Sequence, residues 1–388
     1  MKIRKAYKFR LKPSKAQIEL MAQFAGATRF LWNKCLRLNL ERLKQKQHIL
    51  YYPEMDFWSK LWKRSEEYGF LKECPAHILQ QKLRDLERAF KDGFDKKQPN
   101  KRLPKFKKRG LHDSFRFPAP TQIKLEYQHI TLPKLGRIRF YRSRAIVGDV
   151  KNVTVSCQAG HWYISIQVET VLVLSDVTQG NSSIGLDMGI AHFVTTSNGE
   201  HQSPVNSFRQ HEKVLARLQR QLSRKKRFSN NWKKQVKRIT NCHQKIANIR
   251  RDFQHKLSTE LCKSHAMIVV EALKIKNMSK SAKGDINNPG KNVAAKSGLN
   301  KSILDQGWYE FRRQLDYKSH WRGGIVVEVN PHYTSQRCSQ CDYIHAKNRQ
   351  SQSIFACMKC HREMNADVNA AKNILAAGHA VMACGASA

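Results

Sequence analysis

The stretch that decides the fold is SIGLDMGI at residues 183–190, an apolar run of strand character that carries one acid, Asp187. Two further acids stand in similar surroundings: Glu271 ends the run MIVVE, and Asp367 opens an alanine-rich helix in NADVNAA. An ionised acid that is buried without a partner costs several kcal/mol. Any one of these acids, taken alone, could lie at a strand end and face water. Three in this order favour a shared pair of divalent cations, which is suited to cleaving phosphodiesters.

The elements around these acids follow the order of an RNase H-like fold, in which a central sheet and one helix bring three acids together on two metal ions. A strand through Asp187 comes first, and Asn198-Gly199 is a strong hairpin turn. The pattern then predicts a helical pair over 209–265, a strand over 267–273, a mobile polar loop over 277–302 beside Glu271, a helix over about 302–321 and a strand over 325–329.

The first part of the chain has a different pattern. Residues 1–12 alternate apolar and basic side chains, which predicts a half-buried strand. The pattern further predicts a helix that begins after Pro13-Ser14-Lys15, a second helix over 76–94, a basic loop over 95–112, β-structure over 130–170 and a linker over 171–181.

The charge of the chain predicts a nucleic-acid partner. The 388 residues include 71 Lys and Arg but only 30 Asp and Glu, a formal net charge of +41. Self-repulsion of this size is tolerated mainly when a polyanion neutralises it. A membrane surface is the alternative. No long apolar span, lipidation motif or signal-peptide core supports it, so we expect an intracellular, cytoplasmic protein without a membrane partner.

Two basic segments are candidates for phosphate contact rather than merely solvated charge. They are Lys105, Lys107, Lys108 and Arg109 in the first part of the chain, and Arg224, Lys225, Lys226 and Arg227 between the paired helices.

Four of the ten cysteines have the spacing of a zinc site, Cys338-x2-Cys341-x15-Cys357-x2-Cys360. Two such pairs at this separation favour tetrahedral Zn²⁺ on four thiolates over a redox pair, and a closed four-thiolate site is structural. The insert ends seven residues before Asp367. We expect it to brace the strand over 325–329 against the helix that carries Asp367, and its basic residues, among them Arg349, to contact nucleic acid.

Short motifs along nearly the whole chain resemble the TnpB family, nucleases encoded by bacterial insertion sequences and related to type V CRISPR effectors. The motifs are YKFRLKP at 7–13, ATRFLWN at 27–33, LQQ at 79–81, LPKLG at 132–136, GLDMG at 185–189, VE at 270–271, QGW at 306–308, the first CxxC and NADVNAA at 365–371. Met188 stands where the family commonly has Val, Leu or Ile, and a Met packs comparably there.

The resemblance implies an α+β multidomain fold. Its parts would be an N-terminal wedge β-barrel with an inserted helical recognition domain, then an RNase H-like RuvC nuclease domain with an inserted four-cysteine zinc ribbon. The expected boundaries are 1–45 and 122–175 for the wedge, 46–121 for the recognition domain, 180–336 and 362–388 for the nuclease, and 337–361 for the zinc ribbon.

The resemblance also implies an RNA-guided endodeoxyribonuclease of a bacterial insertion sequence, associated with the nucleoid when bound to DNA. Asp187, Glu271 and Asp367 would be its catalytic triad on two Mg²⁺ ions, with Mn²⁺ as a substitute. A guide RNA from the transposon end and a double-stranded DNA target would be its partners, without a small-molecule cofactor. Gln80 matches a position that lines the reader of the short flanking motif.

Three other functions stay open at this point. An RNA-guided repressor that binds DNA without cutting would need a lost triad acid, and all three are present. A transposase or resolvase would cut without RNA. A plain zinc-ribbon binding module would leave the three acids unexplained.

Overall fold

The computed structural model describes residues 2–110, 113–171 and 182–385, which fall into two compact units, residues 1–171 and 172–388. Most of the predicted linker, residues 172–181, lies outside the described residues. No helix in the part of the chain that the structure describes has the length and apolarity needed to cross a bilayer.

The first unit is built on a seven-stranded antiparallel sheet with the order β2-β6-β7-β1-β5-β4-β3. Strand β1 buries Ile3, Phe9 and Leu11 and exposes its basic residues except the half-buried Lys5, which confirms the predicted half-buried strand. In chain order the strands are β1 (Lys2–Lys12), β2 (Ser114–Phe117), β3 (Lys124–Leu125), β4 (His129–Leu132), β5 (Gly136–Phe140), β6 (Asp149–Gln158) and β7 (His161–Val171).

The predicted barrel is not closed in the described residues. Strands β2 and β3 stand at the two ends of the strand order and do not pair with each other. A closed barrel needs a ladder between its first and last strands. Each of these edge strands is paired on one side only, β2 with β6 and β3 with β4, so the sheet is open in the described residues.

Three helices accompany this sheet, α1 (Lys15–Lys44), α2 (Tyr52–Arg64) and α3 (Ala76–Phe94). Helix α1 begins after Ser14 because Ser14 and Gln17 form a reciprocal capping box. Helix α3 has the predicted bounds and packs on α1. The basic segment over 95–110 has no helix or strand, as expected of a loop, and sequence reasoning did not anticipate α2.

The second unit is built on a five-stranded mixed sheet with the order β10-β9-β8-β11-β12. Strands β8, β11 and β12 are parallel, while β9 and β10 run antiparallel to their neighbours. The strands are β8 (Ser183–Asp187), β9 (Val194–Thr196), β10 (His201–Gln202), β11 (Met267–Glu271) and β12 (Ile325–Val329). A two-stranded sheet of β13 (Ile354–Ala356) and β14 (Glu363–Asn365) is separate from it.

Helices cover both faces of the five-stranded sheet because successive residues of a buried strand point to opposite faces. Leu186 and Val270 pack with Phe311 on one face, whereas Val269 packs with Ile374 on the other. The helices are α4 (Ser207–Ser223), α5 (Asn230–Ser264), α6 (Ile275–Met278), α7 (Val293–Gln306), α8 (Trp308–His320) and α9 (Ala366–Ala383).

Two sequence predictions need correction in this unit. The helix predicted over 302–321 is two helices, because Gly307 lies between α7 and α8 in the left-handed region with φ of +68°. Glycine reaches this conformation without the steric cost of a Cβ. The predicted polar loop over 277–302 also contains the first ten residues of α7, from Val293 onward. The predicted helical pair is confirmed by α4 and α5.

Candidate active site

Two of the three predicted acids end neighbouring parallel strands. Asp187 is the last residue of β8 and Glu271 the last residue of β11. The register pairs Leu186 with Val270, and Asp187 and Glu271 are the residues that directly follow this pair on their strands. Carboxyl ends of parallel strands meet at one edge of a sheet, so the two side chains leave the same edge on the same face.

Helix α9 brings the third acid to this edge. Asp367 lies in its first turn, where Asn365 caps the helix by accepting from the N–H groups of Asp367 and Val368 over 3.0 and 3.1 Å. The helix approaches β8 closely at Gly185: a Cβ there would lie 2.1 Å from the carbonyl oxygen of Ala371. Only glycine permits this approach, which sets α9 against the strand that carries Asp187.

The three acids interact electrostatically. Burial, together with the negative charges of Glu271 and Asp367, raises the pKa of Asp187 to about 7. Burial also raises the pKa of Glu271. A hard divalent cation would relieve the repulsion, and carboxylate oxygens are the donors that Mg²⁺ and Mn²⁺ prefer. The residues present therefore fit a site for such cations.

A threonine that sequence reasoning missed holds Glu271. Thr334 is buried and donates from Oγ1 to Oε1 of Glu271 over 2.6 Å. Asn373 of α9 donates to the carbonyl oxygen of Thr334 over 2.9 Å and so ties this segment to the helix. No local pattern marks Thr334, because its partner is 63 residues away.

A cation from the cysteine module, the insert over residues 337–361, contacts the third acid. Arg349 donates from a guanidinium nitrogen to Oδ1 of Asp367 over 3.4 Å. Its charge also acts to lower the pKa values of Asp187 and Glu271, against the larger effect of burial. Arg349 thus contacts an acid of the candidate site, and its contact with nucleic acid expected from the sequence stays a prediction.

The four predicted zinc ligands come together in this module. All four Sγ atoms lie within 4.8 Å of one another. Cys338 is 3.7 Å from Cys360, and Cys341 is 3.6 Å from Cys357. Tetrahedral Zn²⁺ with Zn–S bonds of about 2.3 Å has S–S edges of about 3.8 Å. The cluster therefore fits a structural metal, in agreement with Zn²⁺.

Helix α9 also holds the module. Asn369 accepts from the N–H of Ser339 over 2.9 Å and donates to the carbonyl oxygen of Arg337 over 2.7 Å. Asn373, one turn later, donates to the same carbonyl over 2.7 Å. These bonds connect the cysteine module to the helix that carries Asp367, whereas its expected bracing of the strand over 325–329 stays a prediction.

The first basic segment is docked on α1 in the first unit. Trp32 donates from Nε1 to the carbonyl oxygen of Lys105 over 3.1 Å, and Asn33 exchanges two hydrogen bonds with the backbone of Lys107. The Lys107 ammonium lies 4.0 Å from the centre of the Trp32 ring. Lys105, Lys108 and Arg109 are exposed. Fixed backbone with exposed cations is suited to a phosphate backbone.

The other candidate contacts lie on helix α3 and in the turn between α4 and α5. Gln80 is half-buried on α3. Arg224, Lys226 and Arg227 are exposed in the turn, and Lys225 is half-buried there. Gln80 belongs to the first unit and the turn to the second.

Three family models match the chain. Residues 163–282 match one described as "Probable transposase", and residues 308–374 match one described as "Cas12f1-like, TNB domain". Residues 1–48 match one described as "Helix-turn-helix domain", although in this structure the described part of that stretch is a strand followed by one long helix.

Two relatives match nearly end to end. The chain is 53% identical over 385 residues to "Putative RNA-guided DNA endonuclease InsQ" of Escherichia coli, covering 99% of this chain and 95% of InsQ. It is 31% identical to "Putative RNA-guided DNA endonuclease" of Streptomyces pristinaespiralis, covering 99% and 91%. The fold is similar to that of Cas12f1 in its cryo-EM complex with sgRNA and target DNA, with a TM-score of 0.55, 12% identity and coverage of 96% and 98%. With these matches and the motifs described above, the chain belongs to the TnpB family.

Proposed function

We propose that this protein is an RNA-guided DNA endonuclease. The observation that carries the proposal is the convergence of Asp187, Glu271 and Asp367 at one edge of the mixed sheet, where burial and mutual repulsion raise the pKa of Asp187 to about 7. Such a cluster destabilises the metal-free protein, so a functional reason for it is needed. The names of the end-to-end relatives supply the reaction class.

The nuclease domain is assigned as RNase H-like of the RuvC type. Supporting observations are the strand order β10-β9-β8-β11-β12, the antiparallel pairing of β8, β9 and β10 at one side, and helix α9 packed across the strands. The wedge would correspond to the open sheet of the first unit, and the recognition domain to α2 and α3. The cysteine module would be the zinc ribbon.

The residues divide the chemical work between them. Asp187, Glu271 and Asp367 would hold two Mg²⁺ ions, which supply an activated water and stabilise the leaving oxygen when bound. Thr334 keeps the Glu271 carboxylate in one orientation by its 2.6 Å hydrogen bond. Arg349 presents a guanidinium beside Asp367, where it can contact a non-bridging oxygen of the phosphate.

Sequence recognition would come from the guide. A chain with a net charge of +41 is suited to a long RNA and a DNA duplex. Base pairing reads the target, while the protein reads a short flanking motif that starts strand opening. The guide would derive from the transposon end, and the protein would act on bacterial DNA in the nucleoid.

The test is loss of cutting without loss of binding. Asp187→Ala, Glu271→Ala and Asp367→Ala should each abolish cleavage of a guide-matched duplex in Mg²⁺, because each change removes a ligand from a shared metal pair. RNA binding and target binding should survive. A variant that cuts near the wild-type rate would remove its residue from the site. Cutting by RNA-free protein at unrelated sequences would favour an unguided transposase or resolvase.

A further inference from the structure

A pocket of about 340 Å³ adjoins the carboxylates in the second unit. Glu271 forms part of its wall, and Met188, Leu273, Ile275 and Trp308 form its apolar part. Tyr309 also lines it and is 65% exposed, so an aromatic ring stands in contact with solvent. The volume lies within the range of about 300–1,000 Å³ that is typical of sites for organic ligands.

Cations surround this apolar space. Lys274 and Lys276 are exposed, and Arg312 is half-buried with its guanidinium 2.8 Å from Glu328. An apolar and aromatic wall with a basic rim matches a nucleotide, because the base is a flat apolar plate and the phosphate is an anion. An uncharged peptide or a neutral lipid would match only the wall.

The position of the pocket identifies which nucleotide fits. Met188 follows Asp187 directly, and Leu273 and Lys274 follow Glu271 by two and three residues. The pocket therefore begins where the carboxylate cluster ends. A phosphate held by the three acids and their metals would leave a neighbouring nucleoside within reach of Glu271 and hence of the pocket.

One residue of the pocket wall has a buried hydrogen-bond donor without an acceptor in the described residues. Trp308 is 3% exposed, and its indole Nε1 is buried without a hydrogen-bond partner in the described part of the chain. An unsatisfied buried donor costs about 1–3 kcal/mol, and such groups call for a functional explanation. A Trp retained for packing alone could be a Phe without this cost.

We propose that this pocket binds the base of the nucleotide next to the cleaved phosphodiester in the strand that is cut. Tyr309 stacks on the base, and Lys274, Lys276 and Arg312 attract the sugar-phosphate backbone that enters with it. The pocket therefore orients the strand in the active site and makes the cutting rate depend on the base beside the cut. This inference rests on the proposed function, because it takes the carboxylates as the place of cutting.

The test measures stacking separately from cutting. The full chain, with the RNA that co-purifies with it, is bound to a single-stranded target in which one nucleotide at a time is 2-aminopurine. Ca²⁺ replaces Mg²⁺ to keep the DNA intact. The fluorescence of 2-aminopurine should be quenched at one position beside the cut, because stacking on an aromatic ring quenches it. Tyr309→Ala should remove this quenching, while Tyr309→Phe, which keeps the ring, should retain it.

Tyr127→Ala is the matched control, because Tyr127 is 73% exposed in the first unit and does not line the pocket. A second readout uses Mg²⁺ and a target with an abasic site at the quenched position. Stacking of one base is worth about 5- to 150-fold. The abasic target should therefore raise KM or slow cutting by the wild type within that range, and should have no further effect on Tyr309→Ala.

The outcomes separate the two proposals. Quenching that is equal in wild type and Tyr309→Ala, or the absence of any quenched position, would overturn the pocket assignment and favour another occupant, such as the exposed Ile286 of this chain. Position-specific quenching that depends on Tyr309, in a protein that never cuts in Mg²⁺, would support the pocket and overturn the nuclease proposal.

Discussion

The guanidinium of Arg349 lies 3.4 Å from Oδ1 of Asp367, so a residue between the two cysteine pairs contacts an acid of the candidate active site. Asn369 and Asn373 hold the same module to α9. The cysteine module therefore contacts the candidate active site in addition to being a structural insert. A metal held by the four cysteines would stabilise the fold of the module and so would help to determine where Arg349 lies.

Arg349→Ala should make the metal-free protein less stable and more responsive to Mg²⁺. The change removes the cation that partly offsets the three carboxylates, and a half-buried pair of this kind is worth about 1 kcal/mol. For a domain of this size, a loss of that free energy lowers the thermal midpoint by about 2–4 °C. Thermal melts at pH 8 with and without Mg²⁺ measure this shift. Arg362→Ala, a change at an exposed residue directly after the module, is the control, and equal Mg²⁺-induced shifts in both variants would contradict the expectation.

Thr334→Val should slow cutting while leaving nucleic-acid binding unchanged. Valine keeps the shape of threonine but cannot donate to Glu271, and a hydrogen bond to a charged group contributes about 1.5–3 kcal/mol. If that bond orients the carboxylate, the cutting rate falls by about 10- to 100-fold. Thr334→Ser retains the hydroxyl and should restore most of the rate. A Thr334→Val enzyme with the wild-type rate would show that the bond does not position Glu271.

Removal of the metal from the cysteine module should unfold that part of the chain. About one equivalent of zinc should co-purify, and Cys357→Ser should release it and lower the thermal midpoint, because a structural metal contributes folding free energy directly. Elemental analysis and thermal melts are the measurements. Cys384→Ser is the matched control, since Cys384 is exposed and outside the cluster. Chelator-free protein that contains no zinc would refute the assignment.

Lys107 should make nucleic-acid affinity depend on pH. Burial, and then the nearby charge of Lys82, lower the pKa of Lys107 from its ordinary value to about 8. The ammonium that attracts phosphate is therefore present below pH 8 and lost as the pH rises through 8. Affinity should fall between pH 7 and pH 9, and Lys107→Arg should remove that part of the fall because arginine stays charged. Filter binding at constant salt measures it.

The exposed neighbour supplies the control for this measurement. Lys108→Arg leaves Lys107 in place and should show the pH dependence of the wild type. If Lys107→Arg loses affinity above pH 8 as steeply as the wild type does, Lys107 is not the group responsible.

Gln80→Ala should weaken cutting of duplex targets more than cutting of single-stranded targets. If Gln80 belongs to the reader of the flanking motif, its loss impairs the start of strand opening, which an open strand does not need. The ratio of the two cutting rates measures the effect. Gln81→Ala is a neighbouring comparison on the same helix, where the Gln81 amide donates to Asp85. An equal loss on both substrates would remove Gln80 from the motif reader.

The sequence by itself determined the features that depend on local pattern. Alternation predicted β1, and the 3.6-residue period predicted α3 with its observed bounds, because each pattern reports which face of one element is buried. The CxxC spacing predicted the cysteine cluster, since each pair places two thiolates on one tight turn. The apolar flanks of Asp187 and Glu271 likewise marked them as acids in buried strands.

Only the tertiary structure decided the contacts between distant parts of the chain. The bond from Thr334 to Glu271 spans 63 residues, and that from Arg349 to Asp367 joins the module to α9, so neither follows from local periodicity. Whether the first sheet closes depends on its edge strands, and the break at Gly307 depends on a left-handed backbone that a helical pattern conceals. Local pattern reports the burial of each element, whereas pairing between elements is a property of the whole fold.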